Sequence, residues 1–335
     1  MSDDRFSFVL NYFDPQAELV KQYNMMFFAS DNSIEIHDPK LRRVFLRRLP
    51  YPSITLKDLV VGNTLEIHSR QMKIVDYGDA FTRETLQGCR EDTFMIIPPH
   101  AFEATGLIIQ SLLDADVRLT KIISTTVPPQ VSHDLVGFDL SSGVSVCLKL
   151  NGPNAVSLAL NAASKYSTFA PSSPSDHASS MDTIFNQRPS ATSSNCALLL
   201  IRPHVVKGNT LGNIIDAILS SGFSVSCIGS INFTKSQACE FLEVYRGVLN
   251  EFEGWANDLS SGMSIAVEII GDSDVVNRLR DWIGPFDPEI ARQLEPNSLR
   301  ALYGETRIKN GFHVTDLAED GPLESQYVFQ FLYHN

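Results

Sequence analysis

The sequence predicts an α+β protein: a small β barrel or sandwich over residues 1–90, then two α/β sandwiches, the first of them degenerate. Three observations predict it. Short β-rich runs separated by turn residues fill the first part. A sequence repeat fills the rest. Within the better-kept copy of that repeat, strands and helices alternate.

The first part is taken in order. "FSFVLNYF", "NMMFFAS", "SIEIHD", "RVFLRRL" and "TLEIHSRQMKIVDY" are rich in Val, Ile, Phe and Tyr. Asp14-Pro15, Asp31-Asn32, Asp38-Pro39, Gly62-Asn63 and Gly78-Asp79 punctuate them with turn chemistry. Many short strands at even spacing make a barrel or sandwich. No acid pair, His cluster or glycine-rich phosphate loop lies in this region, so a binding module is the natural reading.

The repeat follows. "SSGVSVCLKLNG" (141–152) echoes "SSGMSIAVEIIG" (260–271), and "MIIPPHAFEATGLIIQ" echoes "LLIRPHVVKGNTLGNIID" upstream. The interval from the Pro-His pair to the SSG triplet is shorter in the first copy, which has therefore lost part of its interior. Residues 171–194, rich in Ser and Pro, predict a linker with a short helix at "MDTIFNQ". In the second copy Leu211, Ile214, Ile215, Ile218 and Leu219 give an amphipathic helix ended by Gly222. Thr234 and Gln237 have capping-box spacing for a helix carrying Phe241, Tyr245 and Leu249. "CALLLIR", "FSVSCIGSINF", "MSIAVEII" and "YVFQFLY" (327–333) predict four strands. The order β-α-β-α-β-α-β fits a ferredoxin-like sandwich. The boundaries expected are 1–90, 91–170, 171–194 and 195–335.

Composition narrows the function. The net charge of −12 argues against a nucleic-acid surface. Five scattered cysteines, in no CxxC spacing, read as free thiols of a reducing compartment and not as metal ligands. No apolar stretch is long enough to span a bilayer, and the acidic start does not suit a secretory signal. The expectation is a soluble intracellular protein that binds neither membrane nor nucleic acid.

Residues 195–335 resemble the nucleoside diphosphate kinase family. The resemblance rests on "LLIRPHVV", "IGPFDPEIARQLEPNSLRALYG" and "KNGFHVTD", in family order. The first copy resembles a decayed repeat of the same domain. "YFDPQAELVKQYNMMFFASDNSIEIHDPKLRRVFLRRL" resembles the DM-10 domain, a PH-like module. In that family a histidine takes the γ-phosphate of a nucleoside triphosphate and passes it to a diphosphate. The resemblance implies that His313 is that nucleophile and that Glu324 orients it. It further implies that Asn310, Arg280 and Arg300 contact the nucleotide, and that Thr315 is the hydroxyl residue that follows. ATP or GTP with its Mg2+ is the implied ligand, with no protein-held metal. Arg202 stands where the family has a phosphate lysine, and arginine is a wider, planar donor. Phe286 replaces a threonine donor. Leu242 is nearest to a phosphate-contacting tyrosine, Glu251 or Phe252 to a base-stacking phenylalanine, and Arg307 to its opposing valine. In the first copy Pro98 replaces the lysine, His177 sits alone in "SPSDHASS", and that site is read as dead.

A DM-10 module followed by two kinase-like copies implies association with the cytoskeleton: the axoneme of cilia and flagella, and the centrosome or basal body. Two readings follow. One is an axonemal structural protein of microtubule-inner-protein type, touching tubulin or other axonemal proteins, with a kinase-like domain that holds nucleotide. The alternative is an active nucleoside diphosphate kinase working through phospho-His313.

Overall fold

The computed structural model describes residues 5–14, 17, 19–68, 70–87, 90–127, 131, 140, 143–248 and 250–334. Pro15, Ser141, Ser142 and Leu249, which fall in segments read above, and Cys89, one of the five cysteines, lie outside them. The chain forms two compact units, residues 1–90 and 91–335.

The first unit is a curled antiparallel sheet of six strands in the order β4-β3-β2-β1-β6-β5. These are β1 (Arg5–Asp14), β2 (Leu19–Phe28), β3 (Ser33–Asp38), β4 (Arg43–Pro50), β5 (Thr64–Ile67) and β6 (Arg70–Tyr77). Helix α1 (Ala80–Gln87) follows. Alternation decides what is inside: Phe6, Phe8 and Leu10 of β1 face one core with Tyr23, Met25, Phe27, Ile34, Ile36, Met72 and Ile74. The run 64–77, read as one segment above, is a hairpin whose register pairs Ile67 with Arg70. His68 turns it with a positive φ of 48°.

The second unit holds one seven-stranded antiparallel sheet, β13-β10-β12-β11-β8-β9-β7. The first copy gives β7 (Glu91–Ile97), β8 (Arg118–Thr125) and β9 (Ser145–Gly152). The second gives β10 (Cys196–Ile201), β11 (Ser224–Asn232), β12 (Met263–Ile270) and β13 (Phe312–Val314). The copies are therefore not two separate sandwiches. They share a sheet, joined where Ile123 of β8 faces Gly229 of β11. Ser124 Oγ accepts from the Ile228 amide at 2.7 Å, and Ser230 Oγ accepts from the Ile122 amide at 3.1 Å.

Above that seam helix α2 (Thr105–Asp114) crosses α6 (Leu211–Ser220). The crossing is too close for side chains at its centre. A Cβ on Gly106 would lie 2.2 Å from the Asp216 amide nitrogen, and one on Gly212 would lie 2.3 Å from that of Gln110. The contacts are reciprocal under a single sequence offset that matches Gly106 to Gly212, Gln110 to Asp216, Ile122 to Ile228, Ile123 to Gly229 and Ser124 to Ser230: Gly106 meets Asp216 as Gln110 meets Gly212. The two copies thus meet about an approximate two-fold axis.

Helices α2, α3 (Ala155–Tyr166), α6 and α9 (Val275–Ile283) cover one face of the sheet, burying Leu112, Ala159, Ile214 and Leu279. On the other face the second copy carries α7 (Lys235–Phe241) and α8 (Phe252–Leu259). The first copy covers that face with α4 (Ala178–Phe185), where Ile184 and Phe185 pack on Phe94, Ile96 and Cys147. Residues 171–194 therefore do not act as a linker. Lys121 Nζ donates to the Phe185 carbonyl at 2.7 Å, and the Ser190 amide to the Ser124 carbonyl at 2.9 Å. The reason is a bare sheet face that needs apolar cover, which overrides a polar composition.

Residues 327–333 are not a strand either. Helix α12 (Asp320–Gln326) runs on into a π turn over Tyr327–Phe331. Val328 and Phe329 become buried in the cluster under β10 to β12. The place beside β10 is taken by β13, so no edge was left for a strand there.

Candidate functional site

The turn before β13 sets up the site. Gly311 adopts a positive φ of 90°, and its carbonyl accepts from the Arg202 amide at 3.0 Å. His313 then sits in β13 opposite Leu200, with its side chain largely buried. Its Nε2 lies 3.1 Å from Glu324 Oε1. Thr315 Oγ1 accepts from the Leu198 amide at 2.8 Å and donates to Glu324 Oε2 at 2.6 Å. Glu324 is thus pinned by both oxygens. It accepts the Nε2 proton and leaves the lone pair on Nδ1, which has no hydrogen-bond partner among the described residues. Phe241 packs edge-on to the imidazole, with centroids 4.9 Å apart.

His313 lines a cleft of about 270 Å³ together with Arg202, Arg280, Arg300 and Asn310. The sequence-derived residues are therefore gathered in one place, with Glu324 behind the imidazole. They are not equally free. Arg202 is buried: its Nε lies 2.9 Å from Asp258 Oδ2, Nη1 donates to Asn310 Oδ1 at 3.0 Å, and Nη2 donates to the Trp255 carbonyl at 3.2 Å. Burial lowers the Arg202 pKa, and Asp258 opposes that shift without cancelling it. Asn310 in turn donates to the Phe286 carbonyl at 3.4 Å. Arg280 is ion-paired with Asp316.

Arg300, carried on the short helix α11 (Leu299–Tyr303), differs. Nη1 and Nη2 donate to the carbonyls of Gly284 at 2.7 Å and Phe312 at 3.0 Å, and Nε has no partner. No carboxylate among the described residues lies within ion-pair distance. Burial, then repulsion from Arg280 and Arg202, lowers its pKa to about 10, so it stays a cation at neutral pH.

Three wall residues were missed from sequence. Tyr245 lines the cleft beside Leu242 and donates from its hydroxyl to Asp316. The predicted long helix stops at Phe241; a 3₁₀ turn over Glu243–Tyr245 and Gly247 at φ 78° swing Tyr245 inward. A tyrosine, and not only Leu242, therefore lines this wall of the cleft. Asp316, three residues past His313, could have been flagged from that spacing. Burial pushes its carboxyl pKa up, but the hydrogen bonds from Tyr245 and Arg280 outweigh this and hold it low. Trp255 carried no sequence signal; it stacks on Phe286 at 4.8 Å and 25°. Phe252 is buried in the core below, and Arg307 lies 3.8 Å from both Glu251 and Asp287.

Among its described residues the first copy offers no such constellation. Pro98 precedes the turn over Pro99–Ala104, and His177 stands edge-on to Phe94 and Phe169. Among the described residues no group of three or more His, Cys, Asp or Glu side chains is placed to hold a metal. No helix there is long and apolar enough to cross a membrane.

An imidazole backed by a carboxylate, in a cleft with a buried cation, defines the class: residues 195–332 match the nucleoside diphosphate kinase family, and residues 1–88 match the nucleoside diphosphate kinase 7 N-terminal PH domain. Nucleoside diphosphate kinase homolog 7 of Mus musculus is 34% identical over 98% of this chain and 94% of its own length. The Rattus norvegicus counterpart is 33% identical over the same shares. The nucleoside diphosphate kinase of Aquifex aeolicus is 33% identical over 40% of this chain and 94% of its own. The chain belongs to the nucleoside diphosphate kinase homolog 7 family.

Proposed function

We propose that this chain is an axonemal, microtubule-associated structural protein whose kinase fold binds a nucleoside phosphate and turns it over slowly. The observation that carries the nucleotide part is Arg300. A buried cation without a carboxylate, beside an imidazole with a free Nδ1, suits a phosphate oxygen. Mg2+ arrives on the phosphates of ATP or GTP and supplies charge there. Transfer would break the bond from the γ-phosphorus to its bridging oxygen and form one to Nδ1, with the diphosphate leaving.

Slow turnover follows from how the other cations are used. Catalysis of phosphoryl transfer is mainly positioning and charge stabilisation. Arg202 and Arg280 are already engaged by Asp258 and Asp316, and Phe286 adds bulk where a donor would serve. Purified protein given γ-labelled ATP and Mg2+ should become labelled on His313, with turnover below the roughly 10–1,000 per second of ordinary enzymes. Turnover inside that range would overturn the slow-enzyme reading. His313→Ala should abolish the label.

The structural part rests on the first unit, which has a complete core and, among its described residues, no catalytic constellation. Its docking role predicts that a tagged chain lacking residues 1–90 is lost from extracted axonemes, while His313→Ala stays bound. The reverse pattern would make nucleotide chemistry the control on assembly.

A further inference from the structure

The chain carries a net charge of −12, yet residues 1–90 contain twelve Lys and Arg against twelve Asp and Glu. The acidity lies wholly in the second unit. Within the neutral first unit the basic residues are not spread evenly. Lys40, Arg42, Arg43, Arg47 and Arg48 fall in the turn before β4 and along β4 itself, the edge strand of the sheet. All five are exposed, and so are Leu41 at 59% and Val44 at 46%. Arg48 is held by Asp31 at 3.1 Å, by Ser33 Oγ at 2.8 Å and over the Phe28 ring. Lys40, Arg42, Arg43 and Arg47 have no ion pair among the described residues.

An edge strand presents unpaired main-chain groups that another strand can take up. Its side chains decide which strand. Four unpaired cations repel a second β4 or any basic segment and attract an acidic one, and the two exposed apolar side chains give it something to bury. The charge also argues for an elongated occupant. It runs from the β3–β4 turn, where Asp38 pairs with Arg43, to the far end, where Ser33 pairs with Pro50. A flat anionic surface meeting only the turn would leave Arg47 unused.

We propose that β4 is a docking edge for an acidic, extended segment of a partner protein, which adds to the sheet as a seventh strand. This rests on the reading of the first unit as a docking module and names its surface and the chemistry of its partner. The full chain is titrated with a fluorescent peptide alternating glutamate and valine. Three controls accompany it: the lysine-valine counterpart, the acidic peptide N-methylated at alternate residues, and vesicles of acidic phospholipid. The acidic peptide should bind, more weakly with salt, and the other three should bind at least roughly tenfold less. Arg42→Glu, Arg43→Glu and Arg47→Glu combined should lose the peptide by a similar factor while keeping the circular dichroism of the parent. Arg43→Lys should retain it. Equal binding of the lysine peptide, of the N-methylated peptide or by the triple variant would overturn the proposal, as would binding to vesicles alone. Should the peptide fail while loss of residues 1–90 still releases the chain from axonemes, the docking module stands and only this edge is wrong.

Discussion

The two copies in the second unit share a scaffold and differ in what is mounted on it. Strands β8, β9 and β7 run outward from the seam on one side as β11, β12 and β10 do on the other, and the glycines at the helix crossing match as a pair. Yet between β8 and β9 the first copy is short, and α4 fills from outside the face that α7 and α8 cover in the second. Those helices and their flanking turn bring Tyr245 and Trp255 to the cleft. The difference teaches that the sheet and its seam do not depend on the site, because burial of the second copy's edge needs a packed neighbour and no chemistry from it.

The largest expected effect comes from breaking the seam. Gly212→Leu or Gly106→Leu would drive a side chain into the opposing helix backbone, costing about 3 kcal/mol or more. For a unit of this size that lowers the Tm by about 6–12 °C, read by thermal unfolding. Similar losses on both sides would support the two-fold relation; a loss on one side alone would break it.

Next is Glu268, fully buried in β12, where the first copy's echo carries Lys149. Its oxygens accept from the amides of Thr192 at 2.7 Å and Ser193 at 2.9 Å, from Ser226 Oγ at 2.6 Å and from Ser325 Oγ. Burial pushes the Glu268 pKa up, and these donors outweigh it and bring the pKa below 4.5. A depressed carboxylate contributes stability that is present above the unfolded value and lost as pH falls through the folded one. Glu268→Gln should cost about 2–3 kcal/mol near neutral pH by urea unfolding, and the gap to the parent should narrow below pH 4.5. A gap independent of pH would show that the carboxylate's charge is not what the network uses.

A smaller effect, on rate, would sharpen the contrast in chemistry. Arg202→Lys with Phe286→Thr gives the cleft a compact cation and a donor, and His313 labelling should rise by roughly tenfold. No rise in a folded double variant would count against this pocket assignment. The smallest effect is expected at Arg278→Ala, which removes an exposed pair to Asp272 at 3.2 Å and should change stability by less than about 0.5 kcal/mol.

Much of this contrast was legible in the sequence. Period-two runs marked the strands of the first unit, and the i, i+3, i+4 spacing of Leu211, Ile214, Ile215 and Ile218 marked α6. The Thr234–Gln237 box caps α7 as its spacing requires. His313, Glu324, Arg300 and Asn310 were found through motif resemblance and are brought together by the fold. What failed were places where tertiary demand overrides local preference. Ser- and Pro-rich residues 171–194 pack because a sheet face is bare. Aromatic residues 327–333 are helical because β13 holds the edge. Asp258, which occupies Arg202, has no local signature, since an ion pair across an element boundary leaves none in the chain.

The seam has a consequence for how the protein is made. The ribosome completes β8 on the order of 100 residues before β11, and at 5–20 residues per second its open side waits on the order of 5–20 s for a neighbour. During that wait the nascent first copy offers strangers the same side it will later offer β11. Lys121, half-buried in the finished sheet with its ammonium on the Phe185 carbonyl, lies in the middle of β8. While translation proceeds that charge has no such partner, because Phe185 is not yet made, and a solvated lysine on a waiting strand discourages a second nascent chain from pairing there.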